Sequence, residues 1–198
     1  MAITVKLSST AQSIASQIEK KAAEYAKKRY VMVGINDRDG VKRYGDGPTN
    51  LATVAQYLEY GWVQVTTRNQ QRYFFGPKGI GMPVGSVLFM PPRPFLRATL
   101  RHRATDWAQV FGNAMQANQG DLELALAMVG IQAKDDIQQT IIDAGIDGEE
   151  FPRRSPLTQA LYEIYNEGHK TDGTGNLMGD KPLVRSGLLL DSIHFNVV

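Results

Sequence analysis

The sequence predicts an α+β fold, with a small, mostly antiparallel sheet packed with several amphipathic helices and long exposed loops. Three observations lead there. Apolar residues recur at helical spacing over several stretches, short β-branched runs stand between them, and Gly/Pro-rich segments separate the two patterns. At 198 residues, 42% apolar and 21% charged, the chain has a globular composition and enough length to bury a core. It reads as a single domain over 1–198.

The elements follow in order. Ser8 to Arg29 has Ile14, Ile18, Ala22 and Tyr25 on one face, a serine at its start and Lys27, Lys28 and Arg29 at its end, as the helix dipole favours. Tyr30 to Ile35 is short, apolar and β-branched, and Asn36 to Gly40 can turn it towards a return strand over Val41 to Tyr44. Leu51, Val54 and Leu58 share a second helical face that Gly61 ends. From Val63 to Phe75 the alternation is that of strands, with a turn at Asn69-Gln70-Gln71, and Gly76 to Gly85 is an exposed loop. Ser86 to Met90 is a short apolar run before Pro91-Pro92-Arg93-Pro94. Phe95 to Asn118 and Asp121 to Ala144 are helical, the second ended by Gly145. Asp147 to Arg154 is a charged link, Ser155-Pro156 starts a further helix, and Asn166 to Lys181 is a polar glycine-rich loop. Ile193, Phe195 and Val197 alternate as a final strand.

Composition removes several function classes. The 22 Lys+Arg against 20 Asp+Glu leave a net charge of +2, unlike a domain devoted to gripping phosphates. The absence of cysteine excludes disulfides, thiolate metal sites and cysteine nucleophiles. No apolar run approaches the roughly 20 residues of a membrane span, so no membrane partner is expected. No signal-peptide core follows Met1 to Lys6, which points to the cytoplasm.

Motifs for chemistry are missing as well. His102, His169 and His194 lie far apart, with no second ligand at helical spacing, so no metal is expected. Neither Gly76-Pro77-Lys78-Gly79-Ile80-Gly81 nor Gly173-Thr174-Gly175-Asn176 has the strand and helix that a phosphate loop requires, so no cofactor is expected. Ser86 and Ser192 lack a nucleophile-elbow context, and Asp143, Asp147, Glu149 and Glu150 match no calcium loop. These features predict a chain that is not an enzyme. One basic feature stands out. Arg93, Arg97 and Arg101 share a face if the helix extends that far, with Arg103 beside them, and they suit DNA phosphates or acidic groups on a neighbouring subunit.

Two sets of segments carry a resemblance. Tyr57-Leu58-Glu59-Tyr60-Gly61-Trp62 is followed at a distance by Met90-Pro91-Pro92-Arg93-Pro94-Phe95-Leu96-Arg97. Lys181-Pro182-Leu183-Val184-Arg185-Ser186-Gly187-Leu188-Leu189 then runs into Asp191-Ser192-Ile193. Together they resemble the tail-completion, or neck, proteins of tailed bacteriophages, the lambdoid and Mu-like minor tail components. In that family a helix ends in a Glu-aromatic-Gly unit, a later Arg-Pro-Phe-Leu-Arg begins another, and a Leu-Val-x-Ser/Thr-Gly-x-Leu-x-x-Ser-Ile segment lies near the end; relative to its compact members this chain carries a helical insertion at about 107–145. The resemblance implies a structural protein of the virion neck, assembled from the host cytoplasm into a hexameric or dodecameric ring. Its neighbours are a portal, adaptor or head-completion protein on one side and a tail terminator or tube on the other, with genomic DNA passing through the lumen.

Residue roles follow from that expectation. Glu59, Tyr60, Gly61, Pro94, Phe95, Leu96, Leu183, Ser186, Gly187, Leu189, Ser192 and Ile193 are structural. Arg93, Arg97 and Arg101 are candidates for pairing with Glu149 and Glu150 across subunits, and Lys78, Ile80, Met82, His169 and Lys170 lie on loops that contact partners. The alternative is a DNA-binding module using the stripe from Arg93 to Arg103.

Overall fold

The computed structural model describes residues 9–25, 29–43, 49–76, 79–158, 183 and 187–198. Its elements in chain order are α1 (Ser9–Tyr25), β1 (Val31–Ile35), α2 (Asp37–Gly40), α3 (Leu51–Tyr60), β2 (Trp62–Val65), α4 (Arg68–Gln70), β3 (Val87–Met90), α5 (Phe95–Ala117), α6 (Leu122–Asp143), β4 (Gly145–Ile146), β5 (Glu149–Glu150), α7 (Leu188–Asp191) and β6 (Ile193–Val197). The fold is α+β, with three antiparallel two-stranded sheets among the described residues.

Two long helices form the scaffold. α5 and α6 run back on each other through the Asn118 to Asp121 turn, and Asp121 caps α6 by accepting the Leu124 N–H at 3.0 Å. Buried hydroxyls stitch the pair. Thr99 donates to the Phe95 carbonyl at 2.6 Å and meets the Thr140 hydroxyl at 2.8 Å. Further along, the Trp107 indole donates to Asp136 at 2.6 Å. α6 lies against the β1–β6 sheet, where Gly130 leaves room for the Phe195 ring; a methyl there stands only 2.3 Å from a ring carbon.

The core gathers Leu51, Ala55, Phe95, Ala98, Ile137, Ile141, Ile146, Phe151, Leu183, Leu189 and Ile193. Full burial of each large member is worth about 1.5–3 kcal/mol. Ile137 and Ile141 lie within the stretch read as an insertion, so its second half is built into the same core as Leu51 and Phe95.

Several boundaries differ from the sequence reading, each for a local reason. The partner of β1 is β6, with Val31 opposite Val197 and Ile35 opposite Ile193; residues 37–40 form a helical turn capped by Asn36, and 41–43 do not return along β1. The expected hairpin over 63–75 is replaced by β2 paired with β3. Thr67 and Gln70 form a capping box that turns Arg68–Gln70 helical, and a π-helical turn over Gln71–Phe75 continues it, so Asn69-Gln70-Gln71 is not a strand turn. α6 ends on Ala144, whose φ of 53° makes it the left-handed residue in place of Gly145. The charged link holds a tight hairpin, β4–β5, whose turn residues Asp147 and Gly148 both have positive φ, 47° and 86°.

Candidate functional site

The two separated motif segments meet at one joint. α3 ends at Tyr60, and Gly61 (φ 72°) turns the chain so tightly that an added Cβ lies 2.7 Å from the Met90 carbonyl oxygen. That turn delivers the Glu59 carboxylate to the start of α5. Pro94 has no side chain with which to cap α5, and Glu59 does so from 37 residues away. It accepts the backbone N–H of Leu96 at 3.0 Å and of Arg97 at 2.9 Å, and the Arg97 Nε–H at 3.0 Å. A carboxylate at a helix N-terminus satisfies otherwise orphaned donors and sits at the positive end of the dipole. The Glu59 side chain is 5% exposed, and the Arg97 guanidinium lies over the Tyr60 ring at 4.4 Å. The joint ties the end of α3 to the start of α5 through the Glu59 carboxylate.

The expected arginine stripe is occupied within the chain. Arg93 precedes α5, since Pro94 stands between it and the first helical residue; it is buried, donating to the carbonyls of Pro152 at 2.7 Å and Arg153 at 3.0 Å. Arg97 belongs to the joint. Arg101 and His102 meet Glu149 at 3.3 Å, and Arg103 meets Asp147 at 2.7 Å, so the turn of β4–β5 is fastened to α5. The Arg101–Glu149 pairing expected between subunits is thus present inside one chain. Glu150, the other acidic candidate, is exposed.

The described residues of the C-terminal motif, Leu183 and Gly187 to Ile193, are likewise tied to the core. Leu183, Leu189 and Ile193 are buried, Gly187 (φ 74°) precedes α7, and the Ser192 hydroxyl donates to the Leu189 carbonyl at 2.7 Å. Lys78, His169, Lys170 and Ser186 lie outside the described residues. Ile80 and Met82 are half-buried in the connection between α4 and β3.

Sequence reasoning missed a surface. Val63 faces Phe89 and Val65 faces Val87 across the β2–β3 ribbon, and these four side chains are 63%, 63%, 54% and 65% exposed. Four apolar side chains on one face of a two-stranded ribbon are a contiguous patch, which marks an interaction site more strongly than scattered exposed residues do. The opposite face, Trp62, Gln64, Leu88 and Met90, is half-buried, with the Trp62 ring 6.1 Å from that of Tyr57 on α3, so the ribbon has one covered and one exposed face. The signal was present as two alternations, Val63/Val65 and Val87/Phe89, once the strands are paired in this register. α1 is a second uncovered element, with Ile14 and Ile18 exposed and Lys21 reaching the Gln119 carbonyl.

One polar cluster also escaped notice. Asp39, buried at the end of α2, meets Lys42 and lies 2.8 Å from His194 on β6. The Lys42 ammonium, and after it His194, hold the Asp39 carboxyl below the ordinary carboxylate range against the opposing effect of burial.

Among the described residues, no group of three or more His, Asp or Glu could hold a metal ion, and no helix is long and apolar enough to cross a membrane. Comparison with family models, curated proteins and solved structures finds no match.

Proposed function

We propose that this chain is a structural component of the neck of a tailed bacteriophage, forming a ring that joins the head connector to the tail. The observation that carries this reading is the joint itself. Glu59-Tyr60-Gly61 and Pro94-Phe95-Leu96-Arg97, segments that resemble those of tail-completion proteins, act together as one cap-and-turn unit. The Leu183 to Ile193 segment contributes three side chains to the core beside it. These residues have architectural work, which suits a protein acting through its surfaces. The exposed apolar face of the β2–β3 ribbon supplies such a surface.

On this reading the chain performs no catalysis and needs no cofactor. Its partners are further copies of itself in a hexameric or dodecameric ring, a portal, adaptor or head-completion protein above and a tail terminator or tube below, with the genome passing through the lumen. Its place is the virion, reached from the host cytoplasm. The alternative, DNA binding through Arg93 to Arg103, is weakened because all four arginines already have partners in the chain. Cryo-EM of purified particles tests the proposal. A six- or twelve-fold ring that fits this chain between head and tail is expected; a complete neck map without density for it overturns the reading. Fluorescence anisotropy with duplex DNA across a salt series should find no tight, steeply salt-dependent binding.

A further inference from the structure

We propose that the β2–β3 ribbon of one copy docks on the outer face of α6 of the next, a head-to-tail contact between copies of this chain; this pairing of surfaces deepens the ring reading above and rests on it. α6 presents Leu124, Met128 and Ile131 outwards at i, i+4 and i+7, all exposed, while its opposite face packs on β6 and α5. Across about two turns that stripe is roughly 10 Å long, comparable to the span of Val63, Val65, Val87 and Phe89 on the ribbon. Neither surface is covered by the described residues, and burying the exposed face of a two-stranded ribbon adds to its stability.

Charge selects this pairing over others. Residues 1–105 hold 16 Lys+Arg and 6 Asp+Glu, whereas residues 106–198 hold 6 and 14. At the ribbon this imbalance is expressed by Arg68 and Arg72, both exposed shortly beyond Val65. On α6 it is expressed by Glu123, Asp135 and Asp143, all exposed, against the single half-buried cation Lys134. Asp135 continues the Leu124–Met128–Ile131 line by one turn, so a ribbon seated on the apolar stripe sets its arginine end beside a carboxylate. α1 offers a weaker complement, since Lys20 and Lys21 balance its two carboxylates, Glu19 and Glu24, whereas α6 carries an excess of acid. Two different patches on one chain make a heterologous contact, which closes into a ring when the rotation between copies divides a full turn. Self-association by two copies of the ribbon in parallel brings like charges together, and in antiparallel it leaves the arginine ends without a carboxylate partner.

The chain has no cysteine, so single cysteines report the contact without background. Val65→Cys and Met128→Cys proteins, mixed over a concentration series and treated with a short bis-maleimide, should give a linked dimer. Val65→Cys mixed with Val41→Cys, an exposed position elsewhere, should not. Arg72→Glu in the ribbon copy should lower the yield about tenfold, and Asp135→Arg in the α6 copy should restore it. Circular dichroism establishes that each variant is folded. Equal yields from the two mixtures, or a charge reversal that the second change does not rescue, overturn the pairing. If particles carry a ring of this chain while the link fails, the pairing falls and the neck reading stands. If the link forms while the neck lacks the chain, the reverse holds.

Discussion

Replacing Glu59 tests the central joint most directly. Alanine removes a carboxylate that is 5% exposed and accepts three hydrogen bonds, two from the first-turn N–H groups of α5 and one from the half-exposed Arg97. Each orphaned buried donor costs about 1–3 kcal/mol, and the exposed guanidinium recovers part of its loss from water. The sum is about 3 kcal/mol for Glu59→Ala. Glutamine keeps one acceptor and loses the charge at the helix terminus, which gives about 1–2 kcal/mol. Arg97→Ala leaves both N–H bonds in place and removes a half-exposed pair, for about 1 kcal/mol or less. Urea unfolding at neutral pH measures all three. In thermal scans the alanine variant should melt about 6–12 °C lower, since 1 kcal/mol moves a chain of this size by about 2–4 °C. If Glu59→Ala costs less than about 0.5 kcal/mol, or no more than Arg97→Ala, the capping argument is wrong.

Three further outcomes are expected. Gly61→Ala forces an L side chain into positive φ and places its Cβ 2.7 Å from the Met90 carbonyl. It should therefore destabilise by about 2–3 kcal/mol in the same assay, with early loss of hydrogen-exchange protection in β2. Gly130→Ala gains about 1 kcal/mol of helix propensity and loses more to overpacking against Phe195, for a net loss that the double change with Phe195→Leu should reverse when melts of all variants are compared. Asp39→Asn gives a pH signature. The folded pKa of Asp39 is lowered, so its contribution is complete above the ordinary aspartate range and lost as pH falls through the folded value. The gap in unfolding free energy between wild type and Asp39→Asn should be widest near neutrality and close in acid; a gap that widens in acid would contradict the Lys42 and His194 contacts.

Local chemistry made the helices legible, and pairing over long distances stayed hidden. Leu122 to Asp143 is readable because Leu126, Ala133, Ile137 and Ile141 repeat at helical spacing behind the capping Asp121. α3 was readable from the shared face of Leu51, Val54 and Leu58, whereas its cap, Asn50 accepting the Thr53 N–H, emerges only in the structure. The strand character of Tyr30 to Ile35 and of Ile193 to Val197 was visible, whereas their mutual pairing was not, because alternation says nothing about a partner. The hairpin assigned over Val63 to Phe75 failed where Thr67 and Gln70, three apart, form a capping box that outweighs the β-propensity of Tyr73 to Phe75. At the joint, Gly61 and Pro94 were readable as turn and helix start, but nothing in Glu59 says that its carboxylate caps a helix 37 residues on. The spacing of Arg93, Arg97 and Arg101 suggested a common face only by carrying helical geometry back through Pro94, where the helix has not begun.

The pairing of β1 with β6 also sets an order of events during synthesis. Val31 cannot find Val197 until about 160 further residues have been made, roughly 8–30 s of translation. For the last part of that interval, the 65 residues from Gly130 to Phe195, the face of α6 that receives the Phe195 ring lacks its partner, and the core lacks Ile193. A nascent or truncated chain therefore lacks the last piece of the scaffold that carries both the ribbon and the α6 stripe. The fold is therefore complete only when its C-terminal strand is in place, because β6 closes both the sheet with β1 and the packing on α6.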